Sequence, residues 1–107
     1  MPRVKPGRDD DWPPPAARLR SVIWRAEGHL ERGEYFAATD ALADVFEIAG
    51  TDAEYVRGLH HLAAAGYKHV HGDPSSARRQ LAHAHRRLSG FPKAAELIAL
   101  VESQIGS

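Results

Sequence analysis

Carboxylate and imidazole side chains gather in the middle of this chain, and these groups bind divalent metal ions or move protons. Asp40 and Asp44 are four residues apart and share one side of a helix, with Glu47 at the next position on that side. His61 could complete a zinc-type site, in which three or four ligands converge within about 2.0–2.2 Å. We therefore take Asp40, Asp44 and His61 as candidate metal ligands, which only the packing of two helices could bring together. The alternative is a solvated acidic surface and an exposed His61.

Arginine side chains form the second candidate site, as a basic helical segment with histidines among them and no acid between Asp73 and Glu96. The arginines are Arg78, Arg79, Arg86 and Arg87. Residues 34–56 show the reverse, with six acids and no Lys or Arg. A basic amphipathic helix can bind phosphates or an acidic protein. No aromatic residue is interleaved with these arginines, so we expect a protein partner rather than nucleic acid. A solvated face that pairs locally with the acidic segment is the alternative.

Most catalytic chemistries have no matching residues in this sequence. There is no cysteine, which excludes disulfides, thiolate catalysis and metal sites built on cysteine. No Gly-x-Ser-x-Gly elbow, Gly-rich phosphate loop or dinucleotide-binding pattern occurs either. We predict no catalytic residues and no cofactor, with a divalent metal ion as the alternative.

Composition predicts a single cytoplasmic domain without a membrane segment. The 107 residues carry fourteen acids and fourteen bases, and nowhere is there a run of the roughly 20 apolar residues that span a bilayer. Residues 1–14 are rich in proline and charge, which predicts a flexible arm. The folded domain is expected over residues 15–107.

Apolar residues recur with helical spacing, which predicts an all-α bundle of about five helices. The expected helices run from residue 16 to Gly33, over about 34–49, 53–71 and 74–89, and from Pro92 onward. Gly72, Asp73 and Pro74 suit a helix end, an N-cap and a first helical position. We expect two antiparallel helical hairpins and a C-terminal helix.

Two segments of the chain echo one another. GEYFAATDAL from Gly33 and GDPSSARRQL from Gly72 place Gly, an acid, Ala and Leu at the same spacing, 39 residues apart. Tetratricopeptide repeats have a period of about 34 residues, so chance or a shared turn geometry explains the echo better than repetition. A short tetratricopeptide-like, peptide-binding module stays an alternative.

The order Gly-x-Tyr-Phe-x-Ala from Gly33, followed by YVRGLHHLAAAGYKHVHGDPSSARRQL, resembles the bacterial family named domain of unknown function 309. The resemblance covers about residues 26–88. The matching positions are Gly33, Tyr35, Phe36, Ala38, Leu42, Gly58, Leu59, Gly72 and Ala77. It implies the family's helical scaffold, in which Tyr35, Phe36, Ala38 and Leu42 specify the packing.

The polar positions of this family differ in the present chain. Where the family has His-Glu-x-x-Glu, the chain has Thr39 for the His and Ala43 for the second Glu, and only Asp40 keeps an acid. His61 occupies a position at which the family has Gln. The resemblance therefore implies a retained fold with lost or altered chemistry.

The sequence thus predicts a non-catalytic interaction or regulatory module. Self-association is one form of this hypothesis, with the acidic second helix of one copy meeting the basic fourth helix of another. The alternatives are a metal-dependent enzyme or metal-binding protein with a pocket between the second and third helices, the tetratricopeptide-like module, and a weak nucleic-acid binder.

Overall fold

Five amphipathic segments form α-helices in the computed structural model, which describes residues 15–105. They are α1 (Pro15–Glu31), α2 (Tyr35–Ala43), α3 (Ala53–Val70), α4 (Pro74–Leu88) and α5 (Ala95–Ile105). Short 3-10 helices occur at Phe46–Ile48, Gly50–Asp52 and Pro92–Ala94. Residues 15–105 contain no strand, so the all-α prediction is confirmed. The arm predicted for residues 1–14 lies outside the described range.

The central helix of the bundle is α3, which packs against both α2 and α4. Helix α2 also packs on α1. Helix α5 contacts α1, α3 and α4. The apolar stripes of the five helices meet in one core. Its largest fully buried side chains are Leu30, Leu42, Leu59, Leu62, Leu88, Val45, Val56 and Val101. The predicted arrangement of two helical hairpins, α1–α2 and α3–α4, with a C-terminal helix is confirmed.

The same turn ends α1 and α3 and starts the helix that follows each. Gly33 and Gly72 adopt φ values of +75° and +81°, which an L side chain rarely adopts. After Gly33, the Glu34 N–H donates to the carbonyl oxygen of His29 at 2.8 Å, and Asp73 donates equivalently to Lys68 at 2.9 Å. Each is a Schellman turn, which satisfies the last carbonyls of a helix. Shared turn geometry therefore accounts for the 39-residue echo in the sequence.

The second helix is shorter than the sequence predicted. It ends at Ala43 instead of near Ala49, and the chain continues as 3-10 turns. Its last turn contains no base, and Asp44 and Glu47 follow directly. Acidic side chains oppose the negative end of the helix dipole, which accounts for the early end. Val45 and Ala49 remain buried because the tighter winding still turns them toward the core.

Two large apolar side chains lie at the surface, and one of them, Phe36, was expected from the family resemblance to specify the packing. Phe36 is 67% exposed and Val70 is 65% exposed. Tyr35 occupies the inward position at the start of α2, and successive helical residues are about 100° apart, so Phe36 turns outward. Val70 is the last residue of α3 and lies beyond its buried stripe.

Glycine allows two side chains to contact the backbone of α3. A Cβ atom at Gly58 would overlap the Leu88 side chain of α4, and one at Gly66 would overlap the Tyr35 ring of α2. The Tyr35 hydroxyl also donates a hydrogen bond to Gln104 of α5, which restricts the ring. The small residues of α3 thus let both neighbouring helices approach it closely.

We expect Gly66→Ala to destabilise the protein by about 2 kcal/mol, because a methyl group there displaces a restrained ring and such overpacking typically costs 1–3 kcal/mol. Gly28→Ala is the matched control, since its Cβ would meet mainly the flexible Arg32 side chain, at 3.3 Å. That control should gain up to about 1 kcal/mol of helix propensity. Urea unfolding followed by circular dichroism measures both. A Gly66→Ala protein as stable as the wild type would contradict the close contact.

Candidate functional site

The basic helix α4 starts at a well-formed cap. The Asp73 side chain accepts a hydrogen bond from the Ser76 N–H at 3.1 Å, and Pro74 follows at the first helical position. The hydrogen bonds from Ser76 lower the pKa of Asp73. From this start, α4 buries Ala77, Ala84 and Leu88 against the bundle. Its arginines are therefore distributed around the remaining surface of the helix.

The four predicted arginines do not form one continuous patch. Arg87 turns toward α3, where its Nη1 lies 2.5 Å from Oε1 of Glu54. Arg78 turns toward α5 and lines a groove of about 450 Å³ together with Leu81 and Ile105. Arg79 and Arg86 remain on the outer side of α4.

We define the basic face as Arg79, His83 and Arg86, which are spaced by four and then three residues along α4. The Arg79 guanidinium donates to the hydroxyls of Ser75 at 3.4 Å and Ser76 at 2.9 Å. Nη2 of Arg86 lies 2.5 Å from Nδ1 of His83. Among residues 15–105, neither Arg79 nor Arg86 takes part in a salt bridge. Both therefore retain an unneutralised charge within this range.

His61 lies against α4, so the alternative of an exposed His61 is wrong. Its Nδ1 is 2.8 Å from Oε1 of Gln80, and its ring centroid is 5.0 Å from that of His83. The side chain is half-buried at the α3–α4 contact. The contact between these two histidines was not predicted from the sequence. His61 precedes the buried Leu62, and His83 precedes the buried Ala84. Each histidine therefore lies at the edge of a packed stripe, and this position is the sequence signal that could have indicated the contact.

We define the acidic face as Asp40, Asp44 and Glu47, all of which are exposed. Glu47 lies in the 3-10 helix after α2, so the expected line of three carboxylates along one helix is wrong. No salt bridge involves the acidic face within the described residues. Its side chains extend from the α2 side of the bundle.

The structure does not bring Asp40, Asp44 and His61 together as a metal centre. The two aspartates belong to α2 and its C-cap, whereas His61 extends toward α4. Across residues 15–105, no three His, Asp or Glu side chains are grouped so that they could hold a metal ion.

His60 occupies a different environment from its neighbour His61. It is half-buried, with its ring in an edge-on contact with Phe46 at 5.1 Å between centroids. Burial, and then the nearby His61, lowers the pKa of His60 below its ordinary value of 6.5. His60 therefore lies at the boundary of the core.

Comparison with known proteins adds no relative. No protein-family model, no curated protein and no solved structure matches the chain. The resemblance to domain of unknown function 309 therefore stays a prediction. Within the described range, no helix combines the length and the apolar character needed to cross a membrane.

The lowered pKa of His60 predicts a loss of stability in acid. The unfolded chain takes up this proton near pH 6.5, whereas the folded chain takes it up only at lower pH. The free energy of unfolding should therefore decrease as the pH falls below 6.5 and stop changing below the folded pKa. In His60→Gln, this decrease between pH 7.5 and pH 5 should be smaller, as measured by urea unfolding at each pH. Identical pH dependence in the two proteins would show that His60 does not contribute.

Proposed function

We propose that this protein is a non-catalytic interaction module that self-associates, with the acidic face of one copy contacting the basic face of another. The observation that carries the proposal is the separation of these two faces. Each consists of exposed or half-buried side chains, and none of their carboxylates or guanidiniums is neutralised by a salt bridge among residues 15–105.

The packing of the helices supports an intermolecular contact. Both α2 and α4 pack on α3 but make no extensive contact with each other. The acidic face therefore has no access to the basic face of the same chain. A second copy offers each face a partner of opposite charge, and such complementarity directs association and its register.

The charge layout also supports self-association. The formal net charge is zero, so two copies experience no net long-range repulsion. Asp40 and Asp44 are four residues apart, as are Arg79 and His83. Two side chains one helical turn apart on one copy therefore lie opposite two side chains with the same spacing on the other copy.

The contact is heterologous, because the two surfaces that meet differ. A two-fold dimer would form it twice, another rotation that closes would give a ring, and a rotation that does not close would give a chain of copies. The interaction would be sensitive to salt in either case, because exposed charges are screened over about 10 Å at 0.1 M salt. The cytoplasmic location stays a prediction from the sequence.

We expect size-exclusion chromatography with light scattering to detect an oligomer at about 0.02 M salt and mainly monomer at about 0.5 M salt. The variant Arg79→Glu/Arg86→Glu should be monomeric at low salt, because both faces then carry negative charge. The variant Asp40→Lys/Asp44→Lys should also be monomeric. An equal mixture of the two should associate again, since each variant supplies the complement of the other.

Arg20→Glu/Arg25→Glu is the matched control, because it reverses two exposed charges on α1 and changes the net charge equally. It should associate like the wild type. A wild-type monomer at both salt concentrations would overturn the proposal. So would a mixture of the two face variants that remains monomeric.

A further inference from the structure

His83 links the basic face to the packed interior of the α3–α4 hairpin. It lies between Arg79 and Arg86 along α4, and its ring approaches His61 of α3 with 5.0 Å between centroids. His61 is held in turn by Gln80, one turn before His83 on the same helix. A change in the charge of His83 therefore affects both the surface and the contact between α3 and α4.

The hydrogen bond from Arg86 requires a neutral His83. A guanidinium has only donors, so the 2.5 Å contact between Nη2 of Arg86 and Nδ1 of His83 needs an unprotonated Nδ1. Protonation of His83 places a second donor and a second positive charge at this contact. The Arg86 side chain must then separate from the ring, which frees its guanidinium to bind a carboxylate in the two-pronged geometry that Arg favours.

The charges around His83 are mostly positive on every element packed near it. Burial, and then Arg86 and His61, lowers the pKa of His83 from its ordinary value. Arg87, whose partner is Glu54, and Arg79 act in the same direction, and His60 lies beside His61 on α3. On the opposite side of α4, Glu102 of α5 contacts His85. The neutral form of His83 is thus favoured only while no anion lies on the basic face.

We propose that protonation of His83, coupled to His61, regulates the basic face, so that the acidic face of a second copy binds more tightly at pH 5.5 than at pH 7.5. The inference rests on the proposed function and adds its regulation. Protonation raises the charge of the basic face and releases Arg86, and both changes favour carboxylates. By linkage, binding of the acidic face must raise the pKa of His83.

The test is the dissociation constant of self-association, measured by sedimentation equilibrium at pH 5.5, 6.5 and 7.5 and constant low salt. This range stays above the pH of about 4 at which carboxylates ordinarily titrate. Wild-type protein should associate about three- to five-fold more tightly at pH 5.5 than at pH 7.5, the effect of one additional exposed ion pair. Circular dichroism at each pH confirms that the protein is folded.

Three variants identify the responsible group. His83→Gln should remove the pH dependence, and His61→Gln should move it to higher pH because the neighbouring ring no longer opposes protonation of His83. His85→Gln is the matched control, since it removes a histidine from α4 on the side facing α5, and it should keep the wild-type dependence. In wild-type protein, the His83 ring signals in nuclear magnetic resonance should titrate at higher pH in concentrated than in dilute samples.

Association that is independent of pH would overturn this inference and leave the proposed function standing. The same result follows if His83→Gln keeps the full pH dependence of the wild type. Absence of association at every pH and salt concentration would overturn both proposals.

Discussion

Close packing against α3 is the constraint on which the rest of the structure depends. Gly58 and Gly66 have no side chains, so Leu88 of α4 and Tyr35 of α2 contact the α3 backbone directly. The fully buried leucines and valines of the core then fill the space between the helices. In this arrangement α2 and α4 are held on different sides of α3, and everything at the surface follows from that placement.

One consequence is that opposite charges are held apart instead of being neutralised within the chain. The salt bridge from Arg87 to Glu54 joins α4 to α3, but exposed pairs of this kind typically contribute about 0–1 kcal/mol. Apolar packing therefore holds the hairpin together, and the charged residues are available for interactions outside it. The acidic and basic faces lie on different segments of the sequence, and the core holds those segments apart in the fold.

Histidines differ in role according to the surface on which the packing leaves them. His29 and His85 each contact a glutamate carboxylate at 2.7 Å. Burial lowers the pKa of His60, and burial and positive charge lower that of His83. Both shifts depend on packing, and the composition alone contains no sign of them.

Local signals in the sequence determined the helices, their turns and most of the core. The cap at Asp73 and the turn at Gly72 depend on residues within a few positions, so the sequence predicts them well. The sequence also marked the basic segment and the acidic segment correctly as surfaces. It did not predict that α2 ends at Ala43 or that His61 faces α4, and it gave the pairing of the basic helix with the acidic segment, now seen for Arg87 and Glu54, only as an alternative. Those outcomes depend on how far each helix is rotated and shifted against its neighbours, and packing between residues distant in the chain decides both.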